Sequence, residues 1–96
     1  MRPSEALSAN RARVLQLAAA MGARNIRVFG SVLAGRDAEG SDLDLLVEVP
    51  AGTSLLRIVG LKQEIEDALG VTVDLCTERE LHPMLRERIL REARPI

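Results

Sequence analysis

The spacing of apolar residues follows two patterns along the chain, one that predicts helices and one that predicts strands. Apolar side chains recur every three to four residues, as one face of an α-helix requires, in three segments: Ser4 to Met21, Ser54 to Leu69 and Pro83 to Ala93. Apolar and polar side chains alternate, as in a half-buried β-strand, in three shorter segments: Asn25 to Phe29, Leu43 to Val49 and Val71 to Cys76. The pattern predicts an α/β fold, with a small mixed β-sheet of three main strands and helices packed on one face.

Capping and turn residues mark where these segments end. Thr53 or Ser54 is expected to cap the start of the second helix, and Gly70 follows its end, where a glycine commonly closes the last turn. Thr77 and Glu80 have the spacing of a capping box, and Pro83 would interrupt a straight helix after it. We therefore expect one turn at Glu78 to Leu81 and then the last helix. The expected apolar stripe of the second helix consists of Leu55, Ile58, Val59, Lys62, Ile65 and Leu69.

The second strand places two carboxylates close together at its start. Because side chains alternate along a strand, Asp42 and Asp44 share one face, and the face that packs on helices carries Leu43, Leu45, Val47 and Val49. Two carboxylates this close repel each other unless a cation lies between them. Oxygen ligands that leave room for water and phosphate suit Mg²⁺, and two metal ions roughly 3.5–4 Å apart are a common device for attack at phosphorus. The alternative for this segment is a solvated acidic turn.

A glycine and a serine end the first strand and provide the other half of a candidate nucleotide site. Gly30 has no Cβ, so the backbone can approach a ligand closely. Ser31 opens a short turn whose free N–H groups can hold an anion. The sheet face beside this turn is expected to stay open for nucleotide, metal and acceptor. The loop Arg36 to Ser41 is expected to be exposed and mobile, with Asp37 and Glu39 as loop acids rather than ligands.

Asp74 is a third acid, in the middle of a short and otherwise apolar strand. One explanation is an edge position that faces water, and the other is that Asp74 faces Asp42 and Asp44 from a neighbouring strand. Cys76 lies two residues further on the same face and is interpreted as a small buried residue, because no base is near it. His82 has no Cys or His partner at zinc-ligand spacing and is interpreted as a structural or surface residue.

Composition narrows the class of protein. Ninety-six residues, 47% of them apolar, suffice for one modest core, so residues 1–96 are expected to form a single domain. Phe29 is the only aromatic residue, which argues against a protein that stacks the bases of single-stranded nucleic acid on aromatic side chains. The net charge of −1 argues against strong binding of nucleic acid through its phosphates. A single cysteine excludes an internal disulfide and fits a cytoplasmic location. No apolar run approaches the length of about 20 residues that spans a membrane.

The motif Gly30-Ser31, ten residues, then Asp42-x-Asp44 and an apolar strand resembles the nucleotidyltransferase superfamily related to DNA polymerase β. The small size resembles the minimal nucleotidyltransferase (MNT) group, whose members are often paired with HEPN-domain proteins in toxin–antitoxin modules. The resemblance implies that Asp74 completes a catalytic and metal-binding triad with Asp42 and Asp44. The family often has a basic residue immediately before the glycine at Gly35, whereas this chain has Ala34 there. If that basic residue contacts phosphate, either Arg36 makes the contact beside Gly30 and Ser31 or the contact is missing.

The resemblance also implies a function. A Mg²⁺-dependent enzyme, with two ions, would transfer AMP from ATP to a hydroxyl on a partner protein and release pyrophosphate. The partner would be a HEPN RNase toxin, and this chain would be the antitoxin that silences it. The alternatives are a non-catalytic module that neutralises its partner by occlusion, which Ala34 favours, and a transferase that acts on a small molecule such as an aminoglycoside.

Overall fold

The computed structural model describes all residues, 1–96, and contains four helices, four strands and one 3-10 turn. The helices are α1 (Pro3–Ala20), α2 (Gly30–Leu33), α3 (Leu55–Leu69) and α4 (Pro83–Glu92). The strands are β1 (Arg24–Phe29), β2 (Leu43–Glu48), β3 (Val73–Cys76) and β4 (Arg94–Pro95), and the 3-10 turn is Glu78–Glu80. None of the helices combines the length and the apolar character that crossing a membrane demands.

The four strands form one mixed sheet in the order β3-β2-β1-β4. β1 pairs with β2 and with β4 in antiparallel fashion, whereas β2 and β3 are parallel. A parallel pair needs a long crossover, and α3 provides it. The predicted mixed sheet is therefore confirmed. The sequence pattern missed β4, because a strand of two residues is too short to show an alternation.

Helices α1 and α3 cover one face of the sheet. From β2, the side chains of Leu43, Leu45 and Val47 are at most 1% exposed and belong to a cluster of 15 buried aliphatic residues. Val14 of α1 and Ile65 of α3 are fully buried in the same cluster. The predicted alternation of β2 is confirmed, and the face opposite this cluster is the one that carries Asp44.

The opposite face of the sheet is only partly open, contrary to the expectation from the sequence. Leu46 is fully buried there in a second, smaller cluster with Leu81 and Ala93. Ile89 and Leu90 of α4 pack against this cluster, as do Phe29 and Cys76. The 3-10 turn and α4 thus cover the middle of this face, because Leu46 is apolar and needs a partner. The end of the face that carries the acidic residues remains accessible, and at the other end the Glu48 side chain is also 42% exposed.

The prediction of which residues form the apolar stripe of α3 was partly wrong. Ile65 and Leu69 are buried as expected, but Leu61 is the third buried residue of the helix. Leu55 is 68% exposed and Val59 is 49% exposed. At 3.6 residues per turn, Val59 lies roughly 200° round the helix from Leu61 and cannot share its face. The helix ends were predicted correctly: the Ser54 hydroxyl accepts a hydrogen bond from the Arg57 N–H, and Gly70 closes the helix with φ 70°.

Asp37 is buried, although the sequence placed it in an exposed and mobile loop. Its side chain is 6% exposed, and its Oδ2 accepts a hydrogen bond of 2.8 Å from the Ser4 N–H. That amide is in the first turn of α1, where helical N–H groups lack partners and negative charge is favoured. This hydrogen bond holds the pKa of Asp37 below its ordinary value. The loop that leads to Asp42 is therefore anchored to the start of α1.

Replacement of Asp37 by alanine should lower the free energy of unfolding at pH 7, because the first turn of α1 loses its distant cap. The native pKa of Asp37 is lowered, so its stabilising contribution is present at neutral pH and is lost as the pH falls through that pKa. Urea unfolding should show a lower midpoint with an unchanged slope, and the difference from wild type should shrink below about pH 4. Glu39→Ala is the matched control, because the Glu39 side chain in the same loop is 79% exposed. Equal midpoints for the two variants would contradict the capping role.

Candidate active site

The Gly30 backbone lies directly against the carboxylate of Asp44. Gly30 follows β1 with φ 72°, a left-handed conformation that side chains other than hydrogen rarely adopt. A Cβ placed on this residue would lie well inside contact distance of Asp44 Oδ2 and 3.0 Å from Asp44 Cγ. Phe29, immediately before, pairs with Asp44 across the antiparallel ladder. Glycine is therefore required here both for the turn and for the space that Asp44 occupies.

Asp74 faces the same side as Asp44 from the neighbouring strand. The two residues are direct partners in the parallel ladder of β2 and β3, so their side chains emerge side by side. Asp74 is exposed, and β3 is an edge strand. Both explanations from the sequence therefore hold at once: Asp74 is at an edge, and it also faces the acidic pair. Asp42 lies exposed just before β2.

The surroundings of Asp44 in the candidate site raise the pKa of its carboxyl group. Its side chain is partly buried, and this burial, followed by the charges of Asp74 and Asp42, raises its pKa to about 6. A hydrogen bond between the side chains of Asp44 and Asp74 acts in the same direction. Like charges that share a small volume disfavour ionisation. In the folded chain, Asp44 therefore interacts with both of the other acids predicted from the sequence.

The chemistry of these side chains fits a divalent cation. The donors are all carboxylate oxygens, which Mg²⁺ prefers, and a cation would relieve the repulsion that raises the pKa of Asp44. The acids are not already arranged as a finished three-ligand metal site. Asp42 and Asp74 are exposed, so their side chains could turn towards an ion bound at Asp44.

Cys76 and His82 have structural contacts, as the sequence suggested. The thiol of Cys76 donates a hydrogen bond of 3.5 Å to Asp74 Oδ1. Burial and the charge of Asp74 raise the pKa of this thiol to about 12, so it stays protonated at neutral pH and supports Asp74. His82 precedes α4, and its Nδ1 accepts a hydrogen bond of 3.2 Å from the Met84 N–H. Neither residue acts as a nucleophile or a zinc ligand in this arrangement.

A cavity of about 460 Å³ adjoins the glycine–serine turn. From the turn it is lined by Phe29, Gly30, Ser31, Ala34 and Arg36, and from α4 by Leu85, Arg88, Ile89 and Glu92. Arg36 therefore lies beside Gly30 and Ser31 in the folded chain. Arg88 and Glu92 were not among the residues predicted from the sequence, although their spacing from Leu85 and Ile89 places all four on one helix face. Another cavity, of about 400 Å³, lies near the far end of β2 and contains none of the candidate residues.

Comparison with known proteins identifies the family. The sequence pattern of the family described as "Nucleotidyltransferase domain" matches residues 12–96. A protein of Methanocaldococcus jannaschii, provisionally named a protein adenylyltransferase, is 46% identical over 72 residues, which cover 75% of this chain and 77% of that protein. A solved structure, provisionally described as a minimal nucleotidyltransferase, is 52% identical with a TM-score of 0.85 and coverage of 97% and 95%.

The fold also recurs in more distant proteins. A crystal structure of a toxin–antitoxin with AMP-PNP has a TM-score of 0.76 at 23% identity, over 90% of this chain and 71% of that chain. At this identity the likeness concerns the fold alone. With a matching family pattern over most of its length and a relative that shares nearly half of the aligned residues, the chain belongs to the nucleotidyltransferase domain family.

Proposed function

We propose that this chain is a Mg²⁺-dependent protein adenylyltransferase, which transfers AMP from ATP to a hydroxyl group of a partner protein. The observation that carries the proposal is the contact between Gly30 and Asp44, with Asp74 beside it in the ladder. This contact joins a candidate phosphate-binding turn to a candidate metal-binding cluster within one site. The M. jannaschii relative named as a protein adenylyltransferase supports the choice of reaction.

The residues of the site divide into two groups by the part of the reaction that they serve. The first amides of a helix have no acceptor within it, so those of the α2 turn, with the Ser31 hydroxyl and Arg36, would bind the triphosphate. Asp42, Asp44 and Asp74 would hold Mg²⁺, which when bound neutralises phosphate charge and favours an ionised acceptor oxygen. Asp74, exposed at the edge, would orient the acceptor hydroxyl. Asp74 would also accept the proton of that hydroxyl, while the acceptor oxygen bonds to the α-phosphorus, the bond from the α-phosphorus to pyrophosphate breaks, and pyrophosphate leaves.

The proposed acceptor is a HEPN-type RNase toxin, which would make this chain its antitoxin. The family resemblance leads to this partner, and it is supported by the shared fold of a toxin–antitoxin whose structure contains AMP-PNP. The surface beside the cavity is compatible with a protein acceptor, because Met84 is 86% exposed and Leu85 is 49% exposed at the start of α4. An acceptor that reached the acidic end of the sheet would pass close to these apolar side chains.

A second candidate function is silencing by occlusion without chemistry. Ala34 favours it, because an alanine in the cavity wall provides no charge for phosphate. The retained cluster of Asp42, Asp44 and Asp74 argues against it, because an occluding module has no need of two acids whose charges raise the pKa of a third, Asp44.

A labelling experiment separates the two candidates. The chain, Mg²⁺, ATP radiolabelled at the α-phosphate and the co-encoded neighbour protein should together yield label on the neighbour. Asp44→Asn should reduce this labelling by at least about 100-fold, because the metal and the reacting atoms lose their positioning. Asp67→Asn on the solvent side of α3 should leave it unchanged. A neighbour that is bound and silenced but never labelled would establish occlusion instead.

Gly30→Ala should impair transfer far more than Gly35→Ala. Both glycines have φ near 70°, so both variants carry a similar backbone cost. Only at Gly30 does the new methyl group collide with Asp44, whereas nothing lies within 4 Å of a Cβ at Gly35. Displacement of a catalytic carboxylate by about 1 Å can cost on the order of 100-fold in rate. The measurement is the labelling rate at saturating ATP, and equal losses in the two variants would refute the role of the Gly30 contact.

Asp44→Asn should make the metal-free chain more stable at neutral pH. Because the native pKa of Asp44, about 6, lies above the ordinary 3.8, the proton is bound more tightly in the folded chain. Wild type therefore loses stability as the pH rises from about 4 to about 6, and the variant does not. After allowance for solvent screening, the difference above pH 6 should be on the order of 1 kcal/mol.

Urea unfolding in EDTA at a series of pH values measures this difference. Adding Mg²⁺ at pH 7.5 should stabilise wild type and leave the variant almost unchanged, since a ligand stabilises only the state that binds it. A difference between the two chains that is constant with pH would contradict the assigned position of Asp44 among the acids.

A further inference from the structure

The wall of the cavity opposite the glycine–serine turn is formed by α4, and it contributes a cation that the proposed mechanism has not used. Among the residues that line the cavity, the two cationic side chains are Arg36 and Arg88, and the one acidic side chain is Glu92. Arg36 forms none of the ion pairs in the structure. Two guanidinium groups therefore border the space next to Gly30 and Ser31, on two different elements of the fold.

The side chain of Arg88 is held by a partner that a phosphate can replace. Its Nε donates a hydrogen bond of 3.0 Å to Glu92 Oε1, one helical turn away. The two side chains are 68% and 51% exposed, and ion pairs on such surfaces are weak. A guanidinium binds phosphate through two parallel hydrogen bonds, which makes phosphate a stronger partner than a mobile carboxylate.

We propose that Arg88 binds the polyphosphate tail of the nucleoside triphosphate, and that Glu92 occupies Arg88 when no nucleotide is bound. The assignment rests on the proposed function for the position of the triphosphate at the glycine–serine turn. Arg88 then closes the cavity from the side of α4, while Arg36 and the α2 amides bind from the side of the sheet. Glu92 opposes phosphate binding twice, through its own charge and through its hold on Arg88.

The same helix offers a matched control pair. Arg91 Nη1 lies 3.7 Å from Glu87 Oε1, again one turn apart, with side chains that are 69% and 92% exposed. Neither Arg91 nor Glu87 lines the cavity. Replacing Arg91 or Glu87 by glutamine alters the net charge of α4 by the same amount as replacing Arg88 or Glu92 by glutamine. It does so without changing a residue that lines the cavity.

The test measures binding of inorganic tripolyphosphate and of AMP to the full chain by isothermal titration calorimetry, in Mg²⁺ buffer. Arg88→Gln should weaken tripolyphosphate binding by about tenfold or more, as loss of a charged hydrogen bond does, and leave AMP binding unchanged. Glu92→Gln should strengthen tripolyphosphate binding several-fold. Arg91→Gln and Glu87→Gln should bind both ligands as wild type does.

Two outcomes would overturn the assignment. If Arg88→Gln and Arg91→Gln weaken tripolyphosphate binding equally, α4 acts only through its general charge. If Arg88→Gln weakens AMP and tripolyphosphate equally, Arg88 contacts the nucleoside monophosphate rather than the polyphosphate tail. Arg88→Lys keeps the charge without the planar fork, and partial retention of tripolyphosphate binding by this variant would support a direct contact.

The failure of this inference is distinguishable from failure of the proposed function. If the chain binds tripolyphosphate through Arg88 but transfers no label, the role of Arg88 is supported and the proposed transferase activity is refuted. Label transfer with the same KM for ATP in wild type and Arg88→Gln would keep the transferase and remove the role of Arg88. Arg88 is exposed, so the unfolding midpoint of Arg88→Gln should match that of wild type.

Discussion

The close approach of Gly30 to the Asp44 carboxylate is the constraint on which the rest of the site depends. β1 and β2 are antiparallel neighbours, and the ladder brings the end of one beside the start of the other. The turn after β1 can share this space with a carboxylate only if it has no side chain. This contact brings the candidate phosphate-binding turn and the acidic cluster together in one place. The two halves of the site are therefore positioned by the pairing of two strands rather than by flexible loops.

β2 contributes apolar side chains to the core on one face and a carboxylate to the candidate site on the other. Leu43, Leu45 and Val47 of β2 stabilise the fold by burial against α1 and α3. The alternate face holds Asp44 next to other acids, at an electrostatic cost that is visible in its raised pKa. Because side chains alternate along β2, the acids lie on the opposite face from the aliphatic core. The repulsion between the carboxylates therefore does not disturb the packing of that core. Strain of this kind is typical of functional sites, where a ligand relieves it.

Features that depend on neighbours in the sequence could be predicted, and features that depend on distant residues could not. The cap at Ser54, the capping box at Thr77 and the start of α4 at Pro83 all follow from local rules, and the structure confirms them. The motif spacing led to the correct family. The burial of Asp37 was missed because its partner, Ser4, lies 33 residues away. No local pattern shows which helix end a loop acid will reach.

The largest omission concerns residues 77–96, and its cause explains what this segment does. Charged residues on a short helix usually indicate a solvated face, and the sequence offered no reason to treat Arg88 otherwise. In the fold, Leu81 and Ala93 are buried with Leu46 at either end of α4, and β4 pairs with β1 beyond it. These anchors fix the rotation of α4, so that one face rests on the sheet and the adjoining residues border the cavity. The segment that covers the apolar part of this sheet face thereby also forms the second wall of the cavity, opposite the wall that contains Ala34 and Arg36.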